Sequence, residues 1–172
     1  MELILVMAGT LTLAAIVTPS FSNLMDSNRA RVAARQVERQ MQTARLKAVS
    51  SARPLRVRLN CPAAGQFRVL EVTGIGTTDT AANRCDPVAF PFPGPRDALR
   101  STPSLDSPVH YLPAGVTVTG TVQQFEFDPR GNVYSVAAGG GMTALGDVVL
   151  TIAFENWSHT VRINAVGRII FE

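Results

Sequence analysis

The chain has 172 residues, of which 46% are hydrophobic, and a formal charge of +3. That is room for one globular domain with a real core plus a terminal helix, rather than several domains. Its two cysteines, Cys61 and Cys85, form no C-x-x-C pair, which argues against a structural zinc site. The charge is uneven: from Asp26 to Arg58 nine basic residues face two acids, Asp26 and Glu38, and the rest of the chain carries seven basic residues against eleven acids. Such a stripe suits a solvated helix face with partner contacts, or phosphates.

The N-terminus opens with an acid, Glu2, ahead of an apolar run from Leu3 to Val17 interrupted only by Gly9, Thr10 and Thr12. An acid at the edge of a hydrophobic helix is costly unless something pairs with it, which points to packing against other copies or partners. The run's helical rise of about 22 Å falls short of the ~30 Å hydrocarbon core of a bilayer. Either the helix borrows Phe21, Leu24 and Met25, or something is missing upstream. A cleaved secretory signal competes with this reading, but no basic segment precedes the run. Pro19 removes a backbone donor and is expected to kink or loosen the helix. Further on, Ala30, Ala33, Ala34, Val37, Met41, Ala44 and Ala48 recur at helical spacing with most of the arginines between them, so a small-residue stripe should lie on a core. Ser50-Ser51-Ala52-Arg53-Pro54 ends the helix, because the residue before proline is biased out of the α region. Three parts result: a transmembrane-type helix over 1–27, its amphipathic continuation over 28–53, and a β-rich domain over 54–172.

Beyond Pro54 the period changes to two. Leu55, Val57 and Leu59 alternate with Arg56, Arg58 and Asn60, and the segment from Phe67 to Val72 repeats the pattern, so the two read as a hairpin. Residues 73–110 are rich in Gly, Pro, Thr and Asp and read as a long variable surface excursion. Strand patterns resume over 116–122, 124–127, 133–136, 148–155, 159–165 and 168–171. Asp128-Pro129-Arg130-Gly131-Asn132 is a strong turn signal, and Gly139-Gly140-Gly141 a flexible loop. Cys61 and Cys85 are a candidate disulfide pair if the domain lies outside the cytoplasm, and otherwise two unrelated thiols.

Catalytic chemistry is absent from the sequence. His110 and His159 have no motif partner, and no nucleophile elbow accompanies them. Gly74-x-Gly76 lacks the third glycine and the strand-to-helix context of a dinucleotide site. No metal-ligand cluster or phosphate loop is present. The expectation is a non-enzyme without cofactor or metal.

The segment E-L-I-L-V-M-A-G-T-L-T-L-A-A-I-V-T-P-S-F resembles the N-terminal helix of type IV pilins and type II secretion pseudopilins, in which a glutamate is followed by a proline seventeen residues later, as Glu2 is by Pro19. The continuing amphipathic helix, the F-D-P-R-G turn at Phe127 to Gly131 and the terminal R-I-N-A-V-G-R-I-I look like the minor pseudopilin H / FimT subgroup. These features cover about half the chain, its two ends. The family has a short basic leader ending in Gly, then Phe or Met, Thr, Leu and a fourth aliphatic residue before this glutamate, whereas Met1 stands here in the place of that fourth residue, so a start further upstream is expected. The positive-inside rule agrees, since the flanking positive charges as written lie only on the C-terminal side.

The resemblance implies an α+β pilin-like fold: a long kinked N-terminal helix packed on antiparallel β-sheet. It assigns Glu2, Leu3 and Pro19 to assembly, with Glu2 neutralising the N-terminal amine of mature subunits. The implied partners are other pilins or pseudopilins, an inner-membrane assembly platform and a prepilin peptidase. The implied place is the bacterial inner membrane, crossed once, with the domain in the periplasm until it enters a filament. Such subunits prime or cap a secretion pseudopilus or a type IV pilus. The alternative implied by FimT-like relatives is DNA binding through a C-terminal Gly-Arg-x-Arg element. Here it reads Gly167-Arg168-Ile169-Ile170, leaving Arg130, Arg162 and Arg168 as candidate contacts. A third reading is an anchored periplasmic module unrelated to filaments, to which Glu2 would be indifferent.

Overall fold

The computed structural model describes residues 2–72, 84–93, 105–136, 142–144 and 146–172, and, among the side chains of its first 22 residues, that of Met7 alone. Helix α1 (Glu2–Ser51) is followed by strands β1 (Leu55–Leu59), β2 (Gln66–Glu71), β3 (His110–Tyr111), β4 (Thr117–Gly120) and β5 (Gln124–Phe127). The remaining strands are β6 (Val133–Val136), β7 (Met142–Ala144), β8 (Asp147–Phe154), β9 (Trp157–Asn164) and β10 (Ile169–Phe171). They form a six-stranded sheet in the order β3-β2-β1-β5-β6-β7 and a four-stranded sheet in the order β10-β9-β8-β4. Every pairing is antiparallel.

α1 is helical on both sides of Pro19 and stops at Ser51. Ala52 enters the left-handed region at φ 54°, and Arg53 N–H closes the end on the Ala48 carbonyl. The helix lies across both sheets, touching β8, β9 and β10 on one and β1 and β5 on the other. Ala30, Ala33, Ala34, Val37, Met41, Ala44 and Ala48 are all buried at this contact. Alanines let the backbone approach the sheets closely, so the strands supply the bulk. In β8, Val148, Leu150, Ile152 and Phe154 alternate inward, and Val161 and Ile163 of β9, Phe125 and Phe127 of β5 and Val57 of β1 complete the core. No helix among the described residues is long and apolar enough to cross a membrane.

The hairpin of β1 and β2 forms with Val57 opposite Val69 and Leu59 opposite Phe67. Its polar face departs from a simple inside-outside alternation, because Arg56, Arg68 and Glu126 are buried. The cause is the excursion. Its described parts return to the sheet: Arg68 donates to the carbonyls of Ser107 (2.9 Å), Arg84 (2.9 Å) and Phe90 (2.8 Å). Arg84 is bridged to Asp106 at 2.9 Å, and the Asp106 carboxylate also accepts the Glu71 N–H at 2.8 Å. The Glu71 carboxylate takes the Leu105 N–H at 3.0 Å and pairs with Arg53. These segments therefore pack on the sheet instead of lying free on the surface. Residues 73–83 and 94–104 of the excursion, and Gly139-Gly140-Gly141, lie outside the described residues.

With both faces of β1 covered, Arg56 needs a counter-charge, and the β1–β5 register places Glu126 directly opposite it. Arg56 Nε donates to Glu126 Oε1 at 2.7 Å, and Nη2 contacts the same oxygen. Removing one partner of a buried pair is far costlier than removing both. Glu126→Leu should therefore lower unfolding stability by about 3–5 kcal/mol, and Arg56→Met with Glu126→Leu should recover most of that loss. Urea titration checks both, and equal losses in the single and double variants would show that the pair is not the cause.

Candidate assembly interface

Two tight turns meet beside the C-terminal end of α1, at Arg45. The first is Asp128-Pro129-Arg130-Gly131-Asn132. The Asp128 carboxylate accepts the N–H groups of Arg130 and Asn132, each at 2.8 Å, and its carbonyl accepts Gly131 N–H at 2.9 Å. The second joins β9 to β10, where the Asn164 side-chain oxygen accepts Arg168 N–H at 2.8 Å and the Asn164 carbonyl accepts Gly167 N–H at 2.8 Å. Val133 N–H donates to the Ala165 carbonyl at 2.9 Å and thereby links the two sheets.

Arg45 of α1 fastens both turns. Its Nε donates to the Gly131 carbonyl at 3.2 Å and its Nη2 to the Val166 carbonyl at 3.2 Å. A Cβ on Gly167 would stand 2.0 Å from the Gly131 carbonyl oxygen and 2.6 Å from Arg45 Nε, and the Gly167 φ of 73° is itself unfavourable for an L side chain. Gly167→Ala should cost roughly 2–4 kcal/mol, whereas Gly146→Ala, with nothing among the described residues within 4 Å of the added carbon, should stay within about 0.5 kcal/mol of wild type. Thermal melts of the two variants side by side check this, and a Gly167→Ala melt matching that of Gly146→Ala would dismiss the clasp.

Of the candidate nucleic-acid contacts, Arg130 and Arg168 are exposed and adjoin the touching glycines Gly131 and Gly167. Arg162 is not grouped with them as a free cation, because it lies 3.5 Å from Asp147 and 3.2 Å from Glu172. Glu2, Leu3 and Pro19 are on α1, and their side chains lie outside the described residues. Cys61 and Cys85 are bonded, with their Cα atoms 5.0 Å apart, and tie the turn after β1 to the excursion. Closing a loop between positions 24 apart in sequence restricts the unfolded chain by about 3 kcal/mol.

The histidines are packing residues. The His110 ring stacks on Phe67 with centroids 4.9 Å apart, and burial pushes its pKa below the ordinary imidazole value. The His159 ring lies 5.3 Å from that of Phe171. Among the described residues, no group of three or more His, Cys, Asp or Glu could hold a metal ion. Sequence reasoning missed Arg45 and Arg68 as anchors. Both bind backbone carbonyls far away in the chain, which no local spacing announces.

A single long N-terminal helix laid by an alanine stripe over antiparallel sheets defines the pilin-like fold. The family model described as type II transport protein GspH matches residues 33–167, and the chain belongs to that family of minor pseudopilins. The type IV minor pilin FimU of Pseudomonas aeruginosa is similar in structure, with a TM-score of 0.52 and 14% identity over 87% of this chain and 92% of that one. So is the minor pseudopilin EpsH from the Type 2 Secretion System of Vibrio cholerae, with a TM-score of 0.51 and 13% identity over 84% of this chain and 96% of that one. At these identities the likeness is one of fold. No curated protein matches the sequence. The chain is a structural subunit of the pilus and pseudopilus class.

Proposed function

We propose that this chain is a minor subunit that enters, primes or caps a type II secretion pseudopilus or a type IV pilus, without catalysis. The observation that carries the reading is the family match over 33–167 on a domain whose helix continues N-terminally to Glu2. In this reading the apolar half of α1 rests in the inner membrane with the domain in the periplasm, then moves into the filament axis. Other pilins or pseudopilins, an assembly platform and a prepilin peptidase are its partners, and N-terminal methylation accompanies processing. Glu2 sets assembly register because a carboxylate in hydrocarbon needs a cation close by. Glu2→Ala should leave a stable membrane-associated protein that is lost from sheared filaments, measured by immunoblot of filament and membrane fractions. Wild-type levels of the variant in filaments would remove that role.

A second reading, a subunit that contacts DNA, is favoured by one observation: the Gly131–Gly167 contact brings the turns bearing Arg130 and Arg168 together. With Arg162 engaged by two carboxylates, two phosphate contacts remain. Binding should then weaken with a log–log salt slope of about −2 and vanish in Arg168→Ala. A gel shift with duplex DNA over a salt series tests this, and an unshifted duplex at low salt would end the reading.

A further inference from the structure

One end of the domain faces back along α1 toward the apolar run, and a ladder of contacts fixes which end it is. The turn after β9 lies at Arg45, whose Nη2 reaches the Val166 carbonyl. Arg35 stands 4.2 Å above the ring of Phe171, which pairs with Val161 within β9. Arg29 stands 5.5 Å above the ring of Phe154, where β8 ends. β9 therefore runs alongside α1, and the turn from Phe154 to Trp157 is the end of the four-stranded sheet nearest the start of the helix. Gly115 adjoins this turn, since a Cβ there would meet the Phe154 ring.

That end carries the single tryptophan of the chain. The register sets Trp157 opposite Phe154, so their side chains share the face turned to α1. Phe154 is buried there, whereas Trp157 is 41% exposed. An indole, apolar with one N–H donor, suits the boundary between hydrocarbon and water. Its level along the helix matches such a boundary. From Leu3 to Met25 α1 rises about 34 Å, which covers the ~30 Å hydrocarbon core with a modest tilt. Leu24 and Met25 are exposed, and the polar residues Asp26, Asn28, Arg29 and Arg31 follow them. Arg29 lies about 6 Å beyond Met25, roughly one headgroup layer out from the hydrocarbon. Because α1 is unbroken from Glu2 to Ser51, the helix itself holds the domain at that level.

We propose that this end of the domain docks on the headgroup layer of the membrane from which α1 emerges, with Trp157 inserted among the phosphates. The proposal rests on the reading of the apolar half of α1 as membrane-inserted. Charge selects the lipid class. Arg29 and Arg31 stand at this end with Asp26, 4.0 Å from Arg29, and with the exposed Glu155. Such a balanced set matches zwitterionic headgroups, whose phosphates take the guanidinium groups and whose cationic groups take the carboxylates. It gives no preference for an anionic lipid. Docked in this way, the domain keeps one orientation before assembly, with its Arg45 end pointing away from the membrane.

The lone indole makes the test direct. Full-length protein is reconstituted into phosphatidylcholine vesicles at low protein density, and its emission is read against nitroxide-labelled lipids and aqueous iodide. Trp157 should lose emission to a headgroup nitroxide, more than to one deep in the acyl chains, and should be shielded from iodide. Exchanging part of the phosphatidylcholine for phosphatidylglycerol should leave both results unchanged. Val166, 60% exposed in the turn at Arg45, marks the far end of the domain. Moving the indole there, in Trp157→Phe with Val166→Trp, should abolish the lipid quenching and restore iodide access. Iodide access without headgroup quenching in the wild-type chain would overturn the proposal. So would quenching that requires phosphatidylglycerol, or shielding that grows with protein density, the sign of a second copy. Lipid quenching in a chain that never enters filaments defeats the filament reading alone. A chain that enters filaments, yet whose Trp157 no lipid quenches, defeats the docking alone. One that does not stay with the vesicles defeats the membrane placement and the docking together.

Discussion

The close approach of α1 to two sheets at once is the constraint on which the rest of the molecule depends. Both sheets bury residues against the same helix within one shared core, so that helix must offer a low surface over several turns. Alanines at 30, 33, 34, 44 and 48 provide it, with Val37 and Met41 filling the centre. The strands answer with Phe125, Phe127, Leu150, Ile152 and Ile163. A larger residue at any of the alanines would lift the helix from both sheets together.

Arginine is the second organising element, used here for its donors as much as for its charge. Arg45 and Arg68 each hold backbone carbonyls from segments remote in sequence. A planar, always protonated fork can fasten irregular backbone without asking that backbone to join a sheet. Arg68 does this for the excursion and Arg45 for the two turns. The basic bias of the region from Asp26 to Arg58 is therefore largely internal architecture: Arg45, Lys47, Arg53 and Arg56 all hold partners within the fold.

Much of this was legible in the sequence. The alanine stripe, the helix end before Pro54, the hairpin from Leu55 and the strands at 124–127 and 133–136 follow from apolar period and from proline chemistry, both local signals. The pilin-like architecture was legible through the Glu2-to-Pro19 spacing together with the two chain ends. What escaped depends on distant partners. β3 is a two-residue pairing with β2 that carries no periodic signal, and β7 is a short strand after a glycine run. Arg56 fits an outward polar position until the β1–β5 register sets Glu126 opposite it. The site is split in the same way: Gly131 and the turn around it are readable from Asp-Pro-Arg-Gly-Asn, but the Gly131–Gly167 contact and the Arg45 clasp exist only once the sheets are assembled.

α1 passes from Glu2 to the alanine stripe as one helix, with no connecting loop. The stretch ahead of Ala30 is about 40 Å long, so it acts as a tow bar fixed to the domain. Tension along it reaches the helix–sheet contact as shear shared across several turns, not as peeling that breaks one contact at a time. The Arg45 bonds to Gly131 and Val166 cross that same interface and resist sliding along the helix axis. A domain built this way can be dragged by its helix and arrive folded.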